Sequence, residues 1–209
     1  MLEAFVTDWP SPKVRASQNI EELLASGIYA TCIPAGPFSQ QWNQMLDHIM
    51  CNHKSSFVLW CMGDVTPPKD LSCFAKRAVY NMLHWPIDIY APSVNYSSCQ
   101  YDQQKLKMFS SGVYEVPATD LLFVVFRAGF LRTLPKVDVA LNRNGWMLDF
   151  FLTARARRRN HFVLRDYNSL ALHPEGSEYD MTIANNLQPW LDSLSAQDRE
   201  ETLRVRSEI

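Results

Sequence analysis

The polarity pattern is dominated by an unbroken apolar run, Phe57-Val58-Leu59-Trp60-Cys61-Met62, followed by Gly63, Asp64 and the breakers Thr66-Pro67-Pro68. Six apolar residues without alternation fit a strand buried on both faces, as in a parallel sheet covered by helices. Upstream, Ala4 to Thr7 reads as a short strand that Asp8-Trp9-Pro10-Ser11-Pro12 cannot continue. A helix is expected from Ala16 to Ser26, with Ile20, Leu23 and Leu24 on one face and Gly27 as its stop. Ile28 to Ile33 then reads as a strand. Phe38, Trp42, Met45, Leu46 and Ile49 share one face of the next helix.

Downstream, a helix from Lys69 to His84 ends at Pro86, and Ile87 to Ala91 reads as a strand. Strands alternating with helices of this length imply βαβ units around a parallel sheet. Each fully buried Val, Leu, Ile or Phe on such a sheet contributes roughly 1.5–3 kcal/mol, enough to hold the fold without metal or disulfide. Ser93 to Gly112 is polar and weakly periodic, and it reads as an irregular excursion suited to substrate contacts. A further apolar strand runs from Leu121 to Phe126. A helix follows from Trp146 to Arg159, then strands at His161 to Arg165 and Ser169 to Leu172. From Asp180 on, the tail reads as an amphipathic helix with Ile183, Leu187, Trp190, Leu191 and Leu194 on its apolar side.

With 209 residues, one domain is the natural count. An apolar share of 47% and a charged share of 20% are those of an ordinary soluble globular protein. A net charge of -2 gives no general attraction to nucleic acid or anionic membranes, so any such contact must be local. The five cysteines, Cys32, Cys51, Cys61, Cys73 and Cys99, form no CxxC or other metal-binding spacing. Reduced thiols and a cytoplasmic setting are the expectation. Met1-Leu2-Glu3-Ala4-Phe5 does not read as a signal peptide, and no apolar stretch approaches a membrane span.

Candidate chemistry begins at Asp64. A carboxylate at the C-terminal end of a buried strand stands where open α/β sheets bind ligands. A hard anion there could hold a divalent cation and a phosphate; the alternative is a turn aspartate before two prolines. Gly145-Trp146-Met147-Leu148-Asp149 opens a helix that runs into Arg155, Arg157, Arg158 and Arg159. Asp149 is either a reactive carboxylate or a helix N-terminal acid favoured by the dipole. The arginines are either a solvated helix face or a source of one contact to a diphosphate. His48, His53, His84 and His161 show no paired spacing. The loop after the first strand has no glycine, against a nucleotidyltransferase phosphate loop, and GxGxxG is absent throughout.

In order along the chain, these segments resemble the GT-A glycosyltransferases, in particular the large inverting group called family 2. Thr7-Asp8-Trp9-Pro10-Ser11 is similar to the family's nucleotide-base loop. Gly36 through Trp42-Asn43 resembles its Gly…Asn helix start, and Phe57 to Asp64 its strand ending in a metal-binding acid. Pro117-Ala118-Thr119-Asp120 looks like the acceptor-side segment, Gly145-Trp146…Asp149 like the catalytic motif, and His173-Pro174 stands where many members carry a metal-closing histidine. Two positions depart from the pattern. Met62 replaces the first acid of Asp-x-Asp, and Pro34-Ala35-Gly36 replaces an Asp-rich turn.

The resemblance implies an α/β fold, a single GT-A-like (Rossmann-like) domain with a mostly parallel central sheet flanked by helices. Residues 1–92 would be the nucleotide-binding half, 93–180 the acceptor and catalytic half, and 181–209 a helical tail. It implies transfer of a sugar from a nucleotide donor, expected to be a UDP-sugar, to a glycan or other hydroxyl acceptor, with inversion. Asp149 would be the general base, and Asp64 and His173 would hold Mn²⁺ or Mg²⁺. Thr7, Asp8, Trp9, Gly36, Asn43, Asp120 and Trp146 would contact substrates. The missing first acid leaves a second reading open, a catalytically silent GT-A-like binding or scaffold protein.

Overall fold

The computed structural model describes residues 1–52, 54–96, 105–174 and 187–209. Its strands are β1 (Leu2–Thr7), β2 (Tyr29–Ile33), β3 (Phe57–Cys61), β4 (Ile87–Val94), β5 (Lys107–Ser110), β6 (Val113–Glu115), β7 (Phe123–Arg127) and β8 (Phe162–Ala171). They form one sheet in the order β2-β1-β3-β7-β4-β8-β6-β5. The helices are α1 (Ala16–Ala25), α2 (Phe38–Cys51), α3 (Leu71–His84), α4 (Ala128–Leu131), α5 (Leu148–Arg158), α6 (Gln188–Ser193) and α7 (Ala196–Ser207).

All strands but β7 and β6 point the same way. β1 pairs parallel with β2 and β3, and β4 pairs parallel with β8. β7 is wedged antiparallel between β3 and β4, and β6 runs antiparallel to β8 and β5. The sheet is therefore mostly parallel in direction but mixed in its pairings.

Every residue of β3 is buried, as its unalternating sequence requires. Cys61 pairs with Phe123 and faces α1 and α3: Asn19 of α1 reaches its sulfur, and Phe74 of α3 packs on Phe123. Trp60 faces the opposite side, edge-on to Phe38 and Trp42 of α2, with Trp42 also edge-on to Phe126. Such aromatic pairs contribute about 0.5–1.5 kcal/mol beyond their burial. The indole N–H of Trp60 donates to Leu121 O at 3.0 Å, so its polar end is satisfied inside the core. The five apolar positions expected on one face of α2 are all buried. Gly27, at φ 77°, ends α1: its N–H donates to Leu24 O, and that of Ile28 to Leu23 O.

The structure departs from the pattern reading in three places. Residues 107–115 form the β5–β6 hairpin rather than an irregular excursion; β5 is a short edge strand with almost no buried side, so it leaves no hydrophobic period. The two strands expected after α5 are one, β8, with a register shift against β4 between Pro92 and Ser93. The tail is two helices, with Ser195 capping α7 by accepting the Asp198 N–H. Trp190 and Leu191 of α6 are buried as expected. Residues 97–104 of the polar stretch, Cys99, His53, residues 175–180 and Ile183 lie outside the described residues. Among the described residues, no helix is long and apolar enough to cross a membrane.

Candidate functional site

The exit of β3 passes over the end of β1. The Gly63 N–H donates to Thr7 Oγ1 at 3.0 Å, and Gly63 O accepts from the Arg15 N–H at 2.8 Å. A Cβ at position 63 would stand 2.2 Å from Thr7 O, so only glycine allows this crossing. Asp64 follows. Two residues on, Thr66 forms an isolated antiparallel bridge with Leu172, just beyond β8, through two backbone hydrogen bonds of 2.7 and 3.0 Å. That bridge carries His173 to Asp64.

The Asn95 side chain holds His173 in place, accepting its N–H at 2.7 Å and donating to its carbonyl at 3.2 Å. The Tyr96 ring stacks on the imidazole at 6.0 Å. As a result His173 Nε2 lies 3.3 Å from Asp64 Oδ2, with both side chains largely buried. Asp64 Oδ1 and His173 Nδ1 are buried without a hydrogen-bond partner. Orphaned polar atoms of this kind destabilise a fold unless a ligand or ion meets them.

Lys13, Arg15, Thr66, Leu172 and Pro174 complete a cleft of about 310 Å³ around the pair. That volume falls at the lower end of small-molecule sites. Arg15 donates to Thr66 Oγ1 at 2.9 Å and pairs with Glu22. One carboxylate, one imidazole and two cations on a shared wall suit a multiply charged oxyanion with a bound cation. Among the described residues, no group of three or more His, Cys, Asp or Glu side chains is placed to hold a metal ion. A cation here would have two protein ligands and take the rest from a bound anion and water.

The remaining candidates are spread along the same end of the sheet. The Thr7 side chain is fully buried beneath Gly63 and does not reach the cleft. The Asp8 N–H donates to Ile33 O, and its carbonyl accepts from Gln41. Trp9 is half-buried against the core. Gly36 is half-buried in the bend before α2, where the nearest atoms to an added Cβ all belong to the flexible Gln40 side chain. Asn43 stands on α2, where its side chain meets backbone. Its amide clamps the backbone of Val137, donating to the carbonyl at 2.8 Å and accepting the N–H at 2.9 Å.

Asp120 faces the fully buried Arg165 of β8 at 3.1 Å. The start of α5 is clamped to the start of α2: Arg143 O accepts from the Ser39 N–H, and Gly145, at φ 67°, lies flat against the Phe38 ring. Asn142 holds both backbone groups of Trp146. Asp149 lies in the first turn of α5, where its Oδ1 accepts the Phe150 N–H at 3.0 Å. It is not among the residues lining the Asp64–His173 cleft.

Lys13, Arg15, Thr66 and Asn95 were not singled out by sequence. The two cations stand in the loop between β1 and α1, where the family resemblance concerns only the nucleotide base. The arginine cluster sits at the other end of the sheet, so no arginine from it reaches Asp64. There Arg155 and Arg158 pair with Asp198, Arg158 with Glu201 and Arg157 with Glu208, fastening α7 to α5. A second cavity, about 390 Å³, is lined by Gly129, Thr133, Arg155, Arg158 and Arg159. The arginines of this larger cavity all have carboxylate partners, in these pairs and with Asp88.

No protein-family model matches the chain, and no curated protein matches it in sequence. Among solved structures it is similar to A197 from STIV, with a TM-score of 0.57 and 15% identity over 84% of this chain and 86% of that one. It is also similar to GalNAc-T7, solved with UDP, GalNAc and Mn²⁺, with a TM-score of 0.53 and 11% identity. That match covers 98% of this chain but 42% of the other, so this chain spans less than half of the glycosyltransferase's length. Likeness at these identities shows the fold alone, and the chain has a single-domain, GT-A-like α/β fold.

Proposed function

We propose that this chain is a glycosyltransferase that moves a sugar from a nucleotide donor to a hydroxyl acceptor at the cleft between Asp64 and His173. The observation that carries the reading is their contact: two side chains from different parts of the chain, meeting at the C-terminal end of the sheet. The GT-A-like fold and a solved neighbour holding UDP and Mn²⁺ support it. Residues 1–92 supply the nucleotide side, 93–180 the acceptor side and 181–209 the tail that carries α6 and α7.

One carboxylate and one imidazole could share a divalent metal with a bound diphosphate, although no third protein ligand stands beside them among the described residues. Asp64 and His173 would hold it, each with an orphaned buried atom, and the imidazole nitrogen favours Mn²⁺ over Mg²⁺. When bound, the metal supplies Lewis-acid neutralisation of the departing nucleoside diphosphate, UDP in our reading. Lys13 and Arg15 add positive charge on the same wall. On the family 2 pattern Asp149, which stands at the start of α5 outside the lining of that cleft, would take the proton from the acceptor hydroxyl, and single displacement would invert the anomeric carbon. Free thiols at Cys32, Cys51, Cys61 and Cys73 agree with a reducing, cytoplasmic setting.

One observation favours a second reading. Met62, buried where the first acid of Asp-x-Asp would stand, removes a ligand, which suits a silent GT-A-like binding protein. Sugar-nucleotide turnover with and without Mn²⁺, on the wild type and Asp149→Asn, decides between them. The enzyme reading expects Mn²⁺-dependent turnover and a fall of roughly 10²–10⁴-fold in kcat for the variant. Absence of turnover with any sugar nucleotide overturns it.

A further inference from the structure

We propose that the sheet edge formed by β5 and the C-terminal half of α3 docks the protein on an anionic phospholipid surface. Tyr80, Leu83, Trp85, Leu106 and Met108 are each more than half exposed. They gather on two neighbouring elements, because Trp85 packs edge-on against Phe109 of β5 at 5.4 Å. Phe109 in turn packs on Phe162 of β8, which anchors the edge to the core. Met108 pairs with Tyr114 across the hairpin, and the register shifts between Met108 and Ser110, at Phe109. The apolar side chains wrap the edge of the sheet instead of lying under a helix. Exposed apolar clusters of this sort mark interaction surfaces.

Charge identifies the occupant. No Asp or Glu occurs from Leu71 to Pro86, which carries Lys76, and the β5–β6 hairpin sets Lys105 and Lys107 against one acid, Glu115, the cross-strand partner of Lys107. Lys105 lies over the rings of Tyr114 and Tyr167, at 4.7 and 4.1 Å, which keeps its charge at this edge. The chain as a whole is slightly acidic, so this is a local basic and apolar surface on a protein with no general affinity for anions. A second copy pairing through β5 would bring Lys105 and Lys107 against themselves, the device by which proteins blunt an exposed edge. Lysines with Trp, Tyr and Leu side chains instead match an anionic headgroup layer over acyl chains. Among the described residues no helix can cross a membrane, so the association is peripheral. This inference stands apart from the sugar-transfer reading.

Vesicle flotation tests it, with phosphatidylcholine alone and with phosphatidylglycerol added. The wild type is expected to float with the anionic vesicles only, and to be released as salt rises. Lys76→Gln with Lys107→Gln is expected to lower binding roughly 30-fold, about fivefold per lysine. Leu83→Ser with Trp85→Ser is expected to lower it at least about tenfold. Lys76 and Lys107 are both exposed, so that variant keeps the test valid should the second one fail to fold. Equal binding to both vesicles, binding to neither, or a dimer in solution that Met108→Lys dissociates would overturn the proposal.

Discussion

Nε2 of His173 stands 3.3 Å from Oδ2 of Asp64 because the Thr66–Leu172 bridge brings two distant loops side by side. Neither side chain is placed by its own loop alone. Asp64 depends on the Gly63 crossing, and His173 on the amide of Asn95. If the pair holds a divalent cation together with a diphosphate, Mn²⁺ and UDP should bind cooperatively in calorimetry. Asp64→Asn and His173→Ala are each expected to remove at least roughly tenfold of Mn²⁺-dependent UDP affinity. Asn95→Ala leaves both ligands in place yet frees the imidazole, and a loss in the range of about 10–100-fold is expected from it. Equal UDP affinity with and without Mn²⁺ in the wild type would remove the metal from the site.

Gly63 is the narrowest point of this arrangement. A methyl group there would press on Thr7 O, which is backbone and cannot swing aside, and on Val14 at 3.1 Å. Gly63→Ala is therefore expected to destabilise the fold by roughly 1–3 kcal/mol, as overpacking does. A chemical-denaturation midpoint reads this directly. By contrast, Gly36→Ala meets only the flexible Gln40 side chain and should leave that midpoint nearly unchanged. A Gly36→Ala loss as large as that of Gly63→Ala would contradict the geometry.

Much of the first half of the fold is legible in the sequence. Phe57 to Cys61 announces a strand covered on both faces, and Phe38, Trp42, Met45, Leu46 and Ile49 announce the buried face of α2. Strand order is not legible. Leu121 to Phe126 reads like one more buried parallel strand, and nothing local says that β7 is wedged antiparallel between β3 and β4. β5 and β6 escaped notice because an exposed edge hairpin needs no hydrophobic alternation. At the site, family resemblance picked out Asp64 and His173, but spacing alone could not have joined them. For Asn43 the sequence leaves two roles open, because an amide beside a helix start binds backbone as readily as substrate; in the fold it meets the backbone of Val137.

Asp120 illustrates the same ambiguity in a charged residue. Arg165 is fully buried, and its guanidinium donates to Asp120 Oδ2 and to the Thr119 hydroxyl. Removing one member of a buried pair typically destabilises by up to about 3–5 kcal/mol, and Arg165 keeps the Thr119 hydroxyl among its partners. Asp120→Ala is expected to lower stability by that order, whereas Asp120→Ala combined with Arg165→Met should recover part of the loss. Thermal unfolding of the two variants checks this. A stable Asp120→Ala protein with raised KM for the acceptor would assign the residue to substrate instead.

The last prediction concerns acid. Asp70 precedes α3, and its Oδ2 accepts from Arg77 at 2.9 Å and from the Ser169 hydroxyl at 2.7 Å. Arg77 also donates to the buried carboxylate of Asp166 at 2.8 Å, so the cluster ties α3 to β8. Burial pushes the Asp70 carboxyl up, but the Ser169 and Arg77 hydrogen bonds and the Arg77 charge outweigh it and hold the group below its ordinary value. A folded value below the unfolded one, near ~3.9 for aspartate, means that the ionised form is favoured by folding. The stabilisation is present in full above the unfolded value and is lost as pH falls through the folded one. Since Asp70 is 36% exposed, solvent screening keeps the effect small, well short of a buried pair. Asp70→Asn should therefore lower stability slightly at neutral pH and flatten its decline below about pH 4. Denaturation midpoints measured across that range should converge for the two proteins at the acid end. An unchanged gap at low pH would mean that Asp70 acts through its shape and not its charge.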